Sequence, residues 1–140
     1  MQTEVYQADL KTPEGKPAYI TVQHCLISFS GAERSEALRS KEEAQQLAED
    51  LFAKAQAGED FGKMVQKYTD DSAPGIYKMA NDGYESDNSS IVPSNHIYAR
   101  SGMVPAFGDC GFALKAGEYA LAPFDKVTSP FGWHIIKRIR

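Results

Sequence analysis

The sequence is short of cysteine, histidine and tryptophan: 140 residues carry two Cys, three His and one Trp. Cys25 and Cys110 are far apart and lack CxxC spacing, so they neither define a disulfide scaffold nor establish an oxidising compartment. We read both as structural free thiols. None of the three histidines has a Cys or carboxylate at ligand spacing, which argues against a metal centre. Basic charge is short as well. Lys and Arg total 15 against 19 Asp and Glu, for a net charge of -4. That balance does not suit a general binder of nucleic acid or of an anionic membrane. No stretch approaches the roughly 20 apolar residues of a membrane span. The first residues have neither the basic start nor the apolar core of a signal peptide. A cytoplasmic location is therefore expected, although a removed leader or a larger parent chain would leave the same sequence. Glycine-rich nucleotide motifs are missing too: the chain has no GxGxxG and no Walker loop.

What is present is the composition of a globular domain, 42% hydrophobic and 24% charged. A chain of this length buries roughly two-thirds of its unfolded surface without staples. Residues 1–17 hold Pro13, Gly15 and Pro17 and no period, and read as an extended arm before a domain over 18–140. Residues 18–29 alternate. Ile20, Val22, His24 and Leu26 share one face and Tyr19, Thr21, Gln23, Cys25 and Ile27 the other, the mark of a strand. Ser40 and Glu43 form a capping box. Ala44, Leu47, Ala48, Leu51, Phe52 and Ala55 follow at helical spacing, and Gly58 closes the helix. Asp60 caps a second helix with Phe61, Met64, Val65 and Tyr68 inward. Residues 76–80 suit a short strand, 81–102 a long polar loop, and Pro105 the start of a short helix. Two strands close the chain, one from Tyr119 and one from Trp133. This order predicts an α+β domain with a mostly antiparallel sheet.

Candidate chemistry is sparse. His24 and His134 lie on apolar strand faces; if their strands are neighbours, the two imidazoles fix each other's tautomers. Taken alone, each also suits a satisfied core histidine. His96 falls in the polar loop and reads as a surface residue. His24 cannot readily activate Cys25, because adjacent strand residues point to opposite faces. Asp70 and Asp71 suit either an acid/base pair or a solvated helix end. Lys137, Arg138 and Arg140 form a basic tail too small for a nucleic-acid footprint.

Four segments in order sharpen the reading: VQHCLISF, SKEEAQQLAEDLFAKAQAGEDFGKMVQKYTDDS, GMVPAFGDCGFALKAGE and SPFGWHIIKRIR. Together they resemble the parvulin-type peptidyl-prolyl cis/trans isomerases over residues 18–140. The resemblance implies a four-stranded antiparallel sheet wrapped by about four helices. It implies that His24 and His134 form a hydrogen-bonded pair under the active site. Asp71 falls at a position that is Cys in some members and Asp in others. Ser129 falls where a Thr or Ser bonds the pair, with Thr128 a near alternative. Met103 and Phe107 correspond to the proline pocket and Phe131 to its edge. No cofactor or metal is implied. The partners are proline-containing polypeptides, with no nucleic acid or membrane, and a monomer is expected. A non-covalent mechanism is favoured, because a carboxylate at 71 suits thiol-like attack poorly. Arg34 and Arg39 alternate with Glu33 and Glu36, so no phosphate preference is expected. The departure from the family lies in 75–102, where Tyr77 or Met79 replaces a pocket Leu and a longer loop follows. The competing reading is a chaperone-like module that binds Pro-containing or unfolded segments with little turnover.

Overall fold

A computed structural model describes residues 5–140. Residues 1–4 of the expected arm lie outside the described residues. Strand β1 spans Tyr19–Ile27 and is buried along most of its length. Its alternation feeds two cores. Ile20 and Val22 join Met79, Phe107, Phe112 and Ile136 on one face. Cys25 and Ile27 join Trp133 and Ile135 on the other, beneath the helices that follow β1. A strand covered on both faces belongs at the centre of its sheet, and β1 is there.

Helix α1 spans Lys41–Gln56. Ser40 Oγ accepts from Glu43 N–H at 3.1 Å and Glu43 Oε1 accepts from Ser40 N–H at 3.0 Å. Such a cap contributes about 1 kcal/mol. Gly58 takes a φ of 100°, the left-handed position that ends the helix. Helix α2 spans Phe61–Tyr68, with Asp60 accepting from Lys63 N–H. Both helices cover the Cys25 face through Ala44, Ala48, Leu51, Phe61 and Val65. Helix α3, Pro105–Ala113, covers the other face.

The remaining strands are β2 (Ile76–Ala80), β3 (Ile97–Ala99), β4 (Tyr119–Ala122) and β5 (Trp133–Arg138). The sheet order is β3-β2-β1-β5-β4. All neighbours are antiparallel except β2 and β3, which are parallel. The fold class is as expected, but the described residues hold five strands in a mixed sheet and three α-helices, not four antiparallel strands and about four helices. The extra strand lies inside the stretch expected as a loop. Three residues are too few to show a period of two, so β3 left no pattern. Its parallel pairing needs a crossover of about a dozen residues or more, which residues 81–96 provide.

The segment expected as an arm also does more. Val5, Tyr6 and Leu10 pack with Tyr84 around Ala18, Tyr19, Ala80 and Ile97. Tyr6 hydroxyl meets Thr21 Oγ1 at 2.8 Å. The breakers Pro13, Gly15 and Pro17 hide this from a periodicity search, because the anchoring comes from scattered side chains.

Candidate active site

β5 pairs with β1 so that His134 stands opposite Leu26 and His24 opposite Ile136. The two histidines are therefore diagonal neighbours on one face of the sheet. Both are buried, and their Nδ1 atoms lie 3.4 Å apart. Their rings stack with centroids 5.5 Å apart.

The turn after α2 brings in the acid. Leu26 N–H donates to Thr69 Oγ1, Asp70 N–H to Leu26 carbonyl, and Ser28 N–H to Asp70 Oδ2. Arg39 Nη1 closes on the same Asp70 oxygen at 2.5 Å. The adjacent acids thus separate. Asp70 is a clamp that pins the turn to β1, and Asp71 is left facing His24, with Oδ2 3.1 Å from Nε2. Gly75 (φ 69°) lets the chain pass tightly by β1; a Cβ there would run into the His24 carbonyl, and Gly75 carbonyl accepts from His24 N–H.

The His24 hydrogen bond is the main cause holding the Asp71 carboxyl down at about 2, so it is ionised at neutral pH. Nε2 of His24 then carries the donated proton. The Nδ1 atoms of His24 and His134 face each other, one donating and the other accepting. Burial holds His134 neutral, its pKa lowered to about 3. Nε2 of His134 is left buried with no partner among the described residues.

That last atom corrects one expectation. Ser129 does not bond the histidine pair. Its buried hydroxyl donates to the Pro123 carbonyl. The loop that carries it closes on itself: Asp125 and Ser129 exchange backbone bonds, and Asp125 Oδ1 accepts from Val127 and Thr128 N–H. The closed loop aims the hydroxyl at its own backbone, and a buried hydroxyl takes the acceptor in reach.

A cavity of about 680 Å³ opens over the pair. His24, Asp71 and Tyr77 form a polar wall; Met103, Phe107 and Phe131 contribute apolar surface. The Phe107 ring stands edge-on to His24 at 4.9 Å. Six of the seven expected site residues meet here, and Ser129 is the one left out. Of the two candidates for the pocket Leu, Tyr77 faces the cavity while Met79 is fully buried in the core. The mouth carries Glu33, Arg34 and Glu36 together. Sequence reading missed Leu26, Ser28 and Val104 as lining; the first two sit on or just beyond β1, so alternation from His24 offered the only signal.

The neutral, buried His134 predicts a pH dependence. Its folded pKa lies below the ordinary 6.5, so below that pH the unfolded chain binds a proton that the folded one refuses. Its effect is absent above pH 6.5 and grows as pH falls toward about 3, costing up to ~1.4 kcal/mol per pH unit in between. Urea unfolding of wild type and His134→Gln across that window should show this slope lost in the variant. Parallel curves would contradict it.

The sequence pattern of the PPIC-type PPIase domain matches residues 9–139. The chain belongs to this family. Among curated relatives, the foldase protein PrsA of Oceanobacillus iheyensis is 35% identical over 136 residues, 96% of this chain and 34% of the relative. The chaperone SurA of Chromohalobacter salexigens is 33% identical over 117 residues, 83% and 21% respectively. The chaperone SurA of Pseudomonas fluorescens is 30% identical over 118 residues, 84% and 22%. The chain thus spans about a fifth to a third of the length of these relatives. The peptidyl-prolyl isomerase ESS1 from Candida albicans shares the fold, with a TM-score of 0.61 at 19% identity, covering 94% of this chain and 66% of that one. The PPIC-type domain is therefore of the rotamase class, as the four segments implied.

Proposed function

We propose that this PPIC-type domain accelerates cis/trans rotation about X-Pro bonds in polypeptides, without a covalent intermediate. One observation carries the reading: apolar side chains of pyrrolidine-gripping kind share a cavity with an ionised, histidine-held carboxylate. X-Pro bonds favour trans by only about 0.5–1 kcal/mol, yet rotation must cross roughly 18–20 kcal/mol. The barrier is the loss of amide resonance, so a catalyst must favour the twisted amide over the planar one. Met103, Phe107 and Phe131 grip the ring. A carbonyl turned toward the polar wall meets the negative field of Asp71. That field disfavours the planar form, whose resonance places negative charge on the oxygen, and disfavours the twisted form less. His24 and His134 hold the carboxylate at the wall; Ser129 has no part in this scheme.

Covalent attack by either thiol is disfavoured. Burial pushes the Cys25 thiol up to about 12 and raises that of Cys110. The rotation itself needs no cofactor. The partner we assign is a Pro-containing polypeptide, for which the mixed charges at the mouth suit an unphosphorylated chain. Among the described residues no helix is long and apolar enough to cross a membrane. We take the chain as one monomeric catalytic domain.

An isomerisation assay over X-Pro tetrapeptides, each with a phospho-Ser-Pro counterpart, tests this reading. We expect saturable acceleration with no gain on phosphorylation. Arg39 is already held by Asp70, and Arg34 shares the mouth with two glutamates. A large gain for the phosphopeptide would refute the assigned substrate class.

A further inference from the structure

Tyr77 does more in the cavity wall than fill space: its hydroxyl bonds the Asp71 carboxylate. It stands on β2 opposite Val22, where its ring meets three others. His24 lies 5.3 Å away, Tyr98 5.7 Å and Phe107 5.9 Å. These contacts aim the phenol at one atom. Tyr77 hydroxyl donates to Asp71 Oδ2 at 3.1 Å, the same oxygen that His24 Nε2 holds at 3.1 Å.

Two donors from two different strands therefore triangulate one carboxylate. Asp71 needs it, because it sits on a turn and its side chain is 39% exposed. Without the Tyr77 hydroxyl, only His24 and the Ser72 backbone N–H hold the carboxylate against water. Burial, with Asp71 next, pushes the Tyr77 phenol well above its ordinary range, so it keeps its proton and remains a donor. Tyr98, on β3, completes the support. The segment 81–99 is thus more than a surface insertion: its crossover delivers β3 to the sheet edge and places an aromatic buttress behind Tyr77.

We propose that Tyr77 is a positioning residue for the reaction, fixing the Asp71 carboxylate at the cavity wall through a hydroxyl that β3 supports. This rests on reading the cavity as an isomerase site. A double-mutant cycle in kcat and KM tests it, because a residue that acts through Asp71 loses its effect once Asp71 is changed. Tyr77→Phe keeps the ring and removes the hydroxyl. It should lower kcat about tenfold, the scale of one hydrogen bond to a charged group, with KM nearly unchanged. In the Asp71→Asn background, assayed at high enzyme concentration, the same substitution should change kcat less than about twofold. Tyr98→Leu leaves the hydroxyl in place and loosens its support. It should lower kcat by a smaller factor, roughly two- to threefold, and only in the chain that retains Asp71. This arm decides the matter if Tyr77→Phe fails to fold by circular dichroism. Unchanged kcat, equal losses in both backgrounds, or an effect confined to KM would overturn the proposal. A wild-type protein that does not isomerise X-Pro peptides would instead remove the underlying reading, and the proposal with it.

Discussion

Asp71→Ala should lower kcat/KM for an X-Pro tetrapeptide by about 100-fold, the lower end of what removing a preorganised electrostatic group costs. The substitution deletes the carboxylate that accepts from both His24 and Tyr77. It should spare the fold. Asp71 is partly exposed, and the turn that carries it is pinned by Asp70 and Thr69 instead. Asp71→Asn keeps the shape and removes the charge, so it should lose most of the same rate. If the field at the carbonyl matters, the loss falls mainly on kcat. A variant with unchanged kcat/KM would end the role given to Asp71.

Phe107→Ala should cost about 3–5 kcal/mol of stability, the range for truncating a buried aromatic. Phe107 is 2% exposed and packs in the core with Ile20, Val22, Met79, Phe112 and Ile136. It also stands edge-on to His24 at 4.9 Å and to His134 at 6.0 Å. Removing it leaves a void in that core and widens the cavity beside the histidine pair. Domains of this size are stable by about 5–15 kcal/mol in all, so the loss is a large fraction. Urea unfolding reads it directly. A change below about 1 kcal/mol would show that the site is not built on this core.

These two residues also mark how far the sequence could be read. The short helix that carries Phe107 was legible from Pro105 at its start, but the resemblance placed Phe107 at the pocket. β1 was legible because nine residues alternate, and α1 because its capping box and apolar spacing agree. Asp71 was harder. Two adjacent acids differ only in which one the turn spends on Ser28 N–H and Arg39, and that is decided by tertiary bonding. The resemblance, not the pattern, singled out position 71. Ser129 shows the opposite case: the right residue type sits close by in sequence, but loop closure turns its hydroxyl to Pro123. β3 and the aim of Tyr77 left no local signal. A three-residue strand has too few positions to show alternation, and a tyrosine on a five-residue strand does not announce where its hydroxyl goes.

An isomerase and a binding module differ in one observable, the rate of X-Pro exchange. NMR exchange spectroscopy on an X-Pro tetrapeptide, with catalytic amounts of the wild-type domain, measures that rate and binding at once. Chemical-shift changes report binding, and cis/trans cross-peak build-up reports rotation. The wild-type domain should give exchange far faster than the uncatalysed process, which takes tens of seconds, and saturating with peptide. Peptide-induced shifts without faster exchange would contradict this and make the domain a binding module.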